Sequence, residues 1–93
     1  MTDADSFLKA RYAITVLGIA RDSDRQSAIK LIEALALEFP SPRTGAVAEA
    51  AHKAALVKFY ELAEVLRAGR DPAQQWRAAE LAAQRWLDLL HGH

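Results

Sequence analysis

An all-α fold is what this sequence predicts: an up-and-down four-helix bundle whose last two helices form a long antiparallel hairpin. Three observations lead there. Apolar residues recur at steps of three and four in four successive stretches. The strongest breakers of regular structure, Pro40, Pro42, Gly69 and Pro72, stand between those stretches. The 52% hydrophobic content is rich in alanine, which favours helices and lets them approach closely. With 93 residues the chain suits one domain, residues 1–93, with helices expected near 5–20, 24–39, 45–68 and 72–90.

The first helix is expected to begin near Asp5 or Ser6 and to place Phe7, Ala10, Ile14 and Leu17 on one face. Leu8, Tyr12, Val16 and Ile19 form a second apolar line, which implies burial from two directions. Residues 12–19 also contain β-branched side chains and Gly18, so a short strand is the alternative there. Arg21 to Asp24 reads as a polar turn, with Ser23 or Asp24 placed to cap the second helix. That helix carries Ala28, Ile32, Leu35 and Phe39 as its stripe, with Ile29, Leu31 and Ala36 beside it and Gln26, Lys30 and Glu33 outward. Pro40 and Pro42 end it and open a connecting loop.

Thr44 is placed to cap the third helix, which runs to Ala68 and spans roughly 36 Å at the α-helical rise. Because this exceeds either preceding helix, part of it is expected to project beyond a compact bundle or to contact another molecule. Its seam reads as Val47, Ala51, Ala54, Leu62 and Val65, with Lys58 in line. Gly69 supplies the left-handed residue that ends a helix without steric cost. Asp71 then caps the fourth helix, Pro72 fits its first position, and Gln74 stands where a capping box needs it. So short a joint returns the next helix antiparallel. The fourth helix carries Trp76, Ala79, Ala83, Trp86, Leu87 and Leu90 on one stripe. Both indoles are expected against the core, with one or both at its edge, where a ring N–H finds a partner.

Twelve basic and twelve acidic residues give a formal net charge of zero, with both signs interspersed, so electrostatics support neither nucleic-acid nor membrane-surface binding. The absence of cysteine excludes disulfides, thiolate chemistry and cysteine-ligated metals. The longest nearly uncharged apolar stretch, Tyr12 to Ala20, is too short to span a bilayer and lacks the order of a signal peptide, so a cytoplasmic location is expected.

Two readings attach to Lys58. Its stem covers apolar surface while the ammonium reaches water or Glu61, or it is a buried cation that fixes helix register or binds an acidic ligand. Leu56 and Tyr60 lie among Glu49, Lys53, Glu64 and Arg67, where solvent is expected. With Ala50 and Val57 they form a second apolar strip, which predicts either a homodimer or other protein contact, or burial beneath the chain's own first helix.

Arg85 and His91 have the Arg-x(4–6)-His spacing of HEPN domains, all-helical bundles many of which cut RNA. The resemblance covers these two positions and implies that His91 acts as general acid or base while Arg85 holds phosphate. Leu62 to Leu66, Gly69, Ala79 and Ala82 are similar to one helix-turn-helix unit of Sel1 or tetratricopeptide repeats, although no second copy is apparent in the first half. His91 and His93, with Asp88 one turn earlier, are fewer than the roughly four fixed ligands of a structural metal site. His52 is expected near the charged side of its helix. No Gly-rich phosphate loop, GxSxG, HExxH or EF-hand pattern is present. The sequence thus predicts a non-enzymatic interaction or regulatory module without cofactor or metal, self-associating through Ala50, Leu56, Val57 and Tyr60. An RNA-cleaving bundle built on Arg85 and His91 is the alternative.

Overall fold

The computed structural model describes residues 2–38 and 46–91, with side chains described for 8–36, 47 and 49–90. Four helices make up nearly all of it: α1 (Thr2–Arg21), α2 (Arg25–Glu38), α3 (Ala46–Arg67) and α4 (Ala73–His91). Among the described residues there is no strand, and Tyr12 to Ile19 is helical. Each helix packs on the next and α4 closes the ring against α1, while among the described residues α1 and α3, like α2 and α4, make no close approach across the diagonals. The proposed cap at Thr44, the loop around Pro40 and Pro42, Phe39 and the side chain of Phe7 lie outside the described residues.

Local chemistry sets the helix ends. Asp24, not Ser23, caps α2: its Oδ1 accepts the Ser27 amide at 3.0 Å, whereas the Ser23 hydroxyl turns back and donates to the Ile19 carbonyl at 2.7 Å. Gly69 ends α3 at φ 73°. The Gly69 and Arg70 amides donate to the carbonyls of Leu66 and Val65 at 3.2 and 3.1 Å, the paired bonds of a Schellman ending. Asp71 Oδ1 then accepts the Ala73 amide at 3.1 Å, and the Trp76 amide donates to the Pro72 carbonyl at 2.8 Å. His52, in the first third of α3, meets Trp86, in the last third of α4. Early residues paired with late ones are what an antiparallel hairpin produces.

Three expectations about packing are corrected. First, α3 spans 22 residues, not about 24; it is longer than α1 at 20 and α2 at 14, as expected, but exceeds α1 by little because α1 already begins at Thr2. At the α-helical rise α3 is about 33 Å long.

Second, the buried line of α3 is Ala51, Ala55, Phe59, Leu62 and Leu66, with His52 and Ala63 beside it. Val47 and Ala54 are exposed, and Lys58 and Val65 are half-buried. The helix is turned roughly a quarter of a turn from its expected setting, so that Phe59, its bulkiest apolar side chain, points at the core.

Third, Trp86 is fully buried and Trp76 nearly so, with neither at the core edge. On α1, Val16 is buried but Leu8, Tyr12 and Ile19 are exposed. Among the described residues α1 is not buried from two directions, and its neighbours there are α2 and α4.

Among the described residues two exposed ion pairs link neighbouring helices. Arg21 Nη1 reaches Glu80 Oε1 at 2.9 Å, joining the end of α1 to α4, and Arg67 of α3 pairs with Glu33 of α2. Such pairs contribute at most about 1 kcal/mol each.

Candidate functional site

The quarter-turn of α3 decides what the bundle shows to solvent. With Phe59 inward, Val47, Ala50, Ala54 and Val57 recur at steps of three and four along the opposite, exposed side. Beside them α4 contributes Ala82, Arg85 and Leu89. Small alanines on both helices leave an open groove of about 590 Å³ between them, lined by Val47, Ala50, Ala51, Ala54, Ala82, Arg85 and Leu89. A shallower depression continues over Leu81, Gln84 and Asp88 on the outer side of α4, where Leu81 is largely exposed.

Of the strip read from the sequence, Ala50, Val57 and Tyr60 face solvent, Val57 being 52% and Tyr60 49% exposed. Leu56 departs from that set: it is half-buried and packs against the core. Among the described residues α1 does not approach α3, so the chain's own first helix is not what covers the strip. Lys58 is half-buried, and its ammonium meets Glu61 Oε1 at 3.3 Å.

Arg85 projects from the exposed side of α4 at the rim of the groove. Among the described residues neither Arg85 nor Lys53 has a carboxylate partner. The side chain of His91 lies outside the described residues, as do Gly92 and His93. Because α4 is continuous from Ala73 to His91, positions 85 and 91 are about 120° apart around its axis, not on one face. Asp88 accepts a hydrogen bond from Gln84 Nε2 at 2.9 Å. Among the described residues no group of three or more His, Asp or Glu side chains is placed to hold a metal, and no helix is long and apolar enough to cross a membrane.

His52 is the residue that the sequence reading misplaced most. It is fully buried, against the indole of Trp86, instead of lying towards the charged side. The signal was present: His52, Ala55, Phe59, Leu62 and Leu66 follow one another at steps of three and four, the period of a buried seam. The chain matches no protein-family model, no curated protein and no solved structure. The functional reading therefore rests on geometry and chemistry.

Proposed function

We propose that the protein is a non-enzymatic helical interaction module that associates with itself through the outward face of α3. The observation that carries this reading is the half-exposure of Val57 and Tyr60 in the middle of that face. Single exposed apolar residues are ordinary on any surface. Here, however, Val57 continues the exposed line of Val47, Ala50 and Ala54, and that line borders an apolar groove. A contiguous apolar surface of this kind marks an association site. The presence of one apolar strip on every copy favours a symmetric pair, in which the same patch serves both partners.

Light scattering over a range of concentrations tests the reading. Wild-type protein should gain apparent mass as concentration rises. Tyr60→Glu, which places a charge in the contact without touching the core, should shift that rise to higher concentration. Wild type that stays monomeric throughout contradicts the proposal.

A further inference from the structure

We propose, building on that self-association, that two copies meet in a single register: the outward faces of α3 pack antiparallel about a twofold axis beside Val57, and Glu61 of each copy enters the groove of the other beside Arg85. The distribution of charge about Val57 points to this register. Lys53 stands one turn before Val57, whereas Glu61 and Glu64 stand one and two turns after it. Arg85 lies at the level of Lys53, since it shares the groove with Ala50, Ala51 and Ala54 and its neighbour Trp86 stacks on His52. Nearest Val57 the face is therefore basic on one side and acidic on the other, whereas Glu49, about two turns before Val57, and Arg67, nearly three turns after it, lie farther round the helix towards α2, and Lys58 lies round towards α4.

Lys53 and Arg85 have no carboxylate partner among the described residues. Glu61 and Glu64 contact Lys58 and Arg67 of their own chain, yet their side chains remain 52% and 73% exposed. Two α3 faces packed parallel would set like charge on like. Packed antiparallel about Val57, Glu61 of one copy comes level with Lys53 and Arg85 of the other, and Glu64 comes level with Ala50, one turn from Lys53. The flanks agree as well. A twofold axis across antiparallel helices brings each flank against the same flank of the partner, and Glu61 lies on the flank nearer α4, as the groove does. Glu64 and Lys53 share the other flank.

Neighbouring registers fail on the same grounds. An axis at Glu61 would oppose the two Glu61 carboxylates, and an axis at Ala54 would set Glu61 against Val47, covering a charge with apolar surface.

Because the chain has no cysteine, a single introduced thiol reports the register. Val57→Cys, oxidised with glutathione disulfide, should give a covalent dimer on a non-reducing gel, since residues on the axis come within disulfide reach. Ala50→Cys should not, because in this register the two copies of residue 50 stand about 21 Å apart along the seam. Sedimentation equilibrium then reads the charges, with circular dichroism showing that every variant keeps its helix content. Glu61→Arg and Arg85→Glu should each weaken association about tenfold, and the double variant should return to within about threefold of wild type. If wild type associates but Ala50→Cys cross-links as well as Val57→Cys, or the double variant is as weak as the single ones, the register is overturned while self-association stands. A wild type that does not associate overturns both.

Discussion

His52 and Trp86 meet ring to ring inside the seam between α3 and α4, their centroids 4.4 Å apart and their planes tilted by 30°. His52 is fully buried, and neither of its ring nitrogens has a hydrogen-bond partner among the described residues. Burial holds its pKa below the ordinary 6.5, and the charge of Lys9 on α1 adds to the effect. Neutral, the imidazole packs as a flat, nearly apolar body. Protonated, it would be a buried charge without a counter-ion.

A pH dependence with a definite sign follows. The unfolded chain binds a proton at His52 more readily than the folded one, so this residue's contribution to stability is fully present above pH 6.5 and is lost as pH falls through the depressed folded value. Thermal melts between about pH 7.5 and 5 should show Tm dropping in wild type and a flatter profile in His52→Leu. At the upper end His52→Leu should be neutral or more stable by about 1 kcal/mol, because it removes two unsatisfied buried nitrogens. Equal slopes in the two proteins would show that His52 does not set the response.

The rotation of α3 is checked by a contrast between substitutions. Phe59→Ala should cost about 3–5 kcal/mol in chemical denaturation, a large share of the total for a domain of this length. Val47→Ser and Ala54→Ser, at protein concentrations low enough to keep the chain monomeric, should stay within about 0.5 kcal/mol of wild type. Comparable losses at all three positions would place the seam back on the Val47 side.

The helix ends are legible in the sequence because aspartate, glycine and proline act on the backbone within a few residues of themselves, as Asp24, Gly69, Asp71 and Pro72 do here. The setting of a helix about its own axis is harder to read. In α3 two stripes share Ala51 and Leu62, and alanine makes both look apolar. The choice falls to Phe59 against Lys58, and taking Phe59 inward carries His52 with it, a residue whose polarity points the other way. Which side of α1 stays uncovered depends on the ring order of the bundle, and no single helix's period encodes that. The groove joins two helices, so the place of Arg85 beside Ala50, Ala51 and Ala54 is not visible along α4 alone.

One substitution made at two glycines should act with opposite signs. Gly18 sits within α1 and, apart from the helix's own nearby backbone and its two chain neighbours, no heavy atom comes within 4 Å of where a Cβ would stand, so Gly18→Ala should raise stability by about 0.5–1 kcal/mol. Gly69 has φ 73°, and a Cβ there would stand 3.3 Å from Arg25 Nη1, the movable end of a long side chain. Backbone strain therefore dominates, and Gly69→Ala should lose about 1–2 kcal/mol. Denaturant midpoints of the two variants moving the same way would contradict this.

Each of the two aspartate caps offers a separate check. Hydrogen bonds from Ser27 hold the Asp24 carboxyl below its ordinary 3.8, so this cap stabilises the fold above that pH and weakens as pH falls through the lowered value. Asp24→Asn keeps an acceptor for the helix and should remove that part of the acid response. Asp71→Ala should lower stability by about 1 kcal/mol near neutral pH, read as a fall in Tm. An Asp24→Asn profile that tracks wild type at low pH would count against the first statement, and an unchanged Tm against the second.

Ten of the nineteen buried apolar residues among those described are alanines, and all four helices contribute some of them. Spacing in this molecule is thus governed by its smallest side chains, and a few bulky ones fill the volume that remains. Variation should be lopsided as a result. Phe59 or Leu62 can be exchanged for a side chain of similar size, whereas adding even a methyl group or two at Ala55, Ala79 or Ala83 would push neighbouring backbones apart along their whole length. A descendant that enlarged one of those positions would have to widen the entire barrel of helices or shrink something opposite, so change at these sites should come in matched pairs.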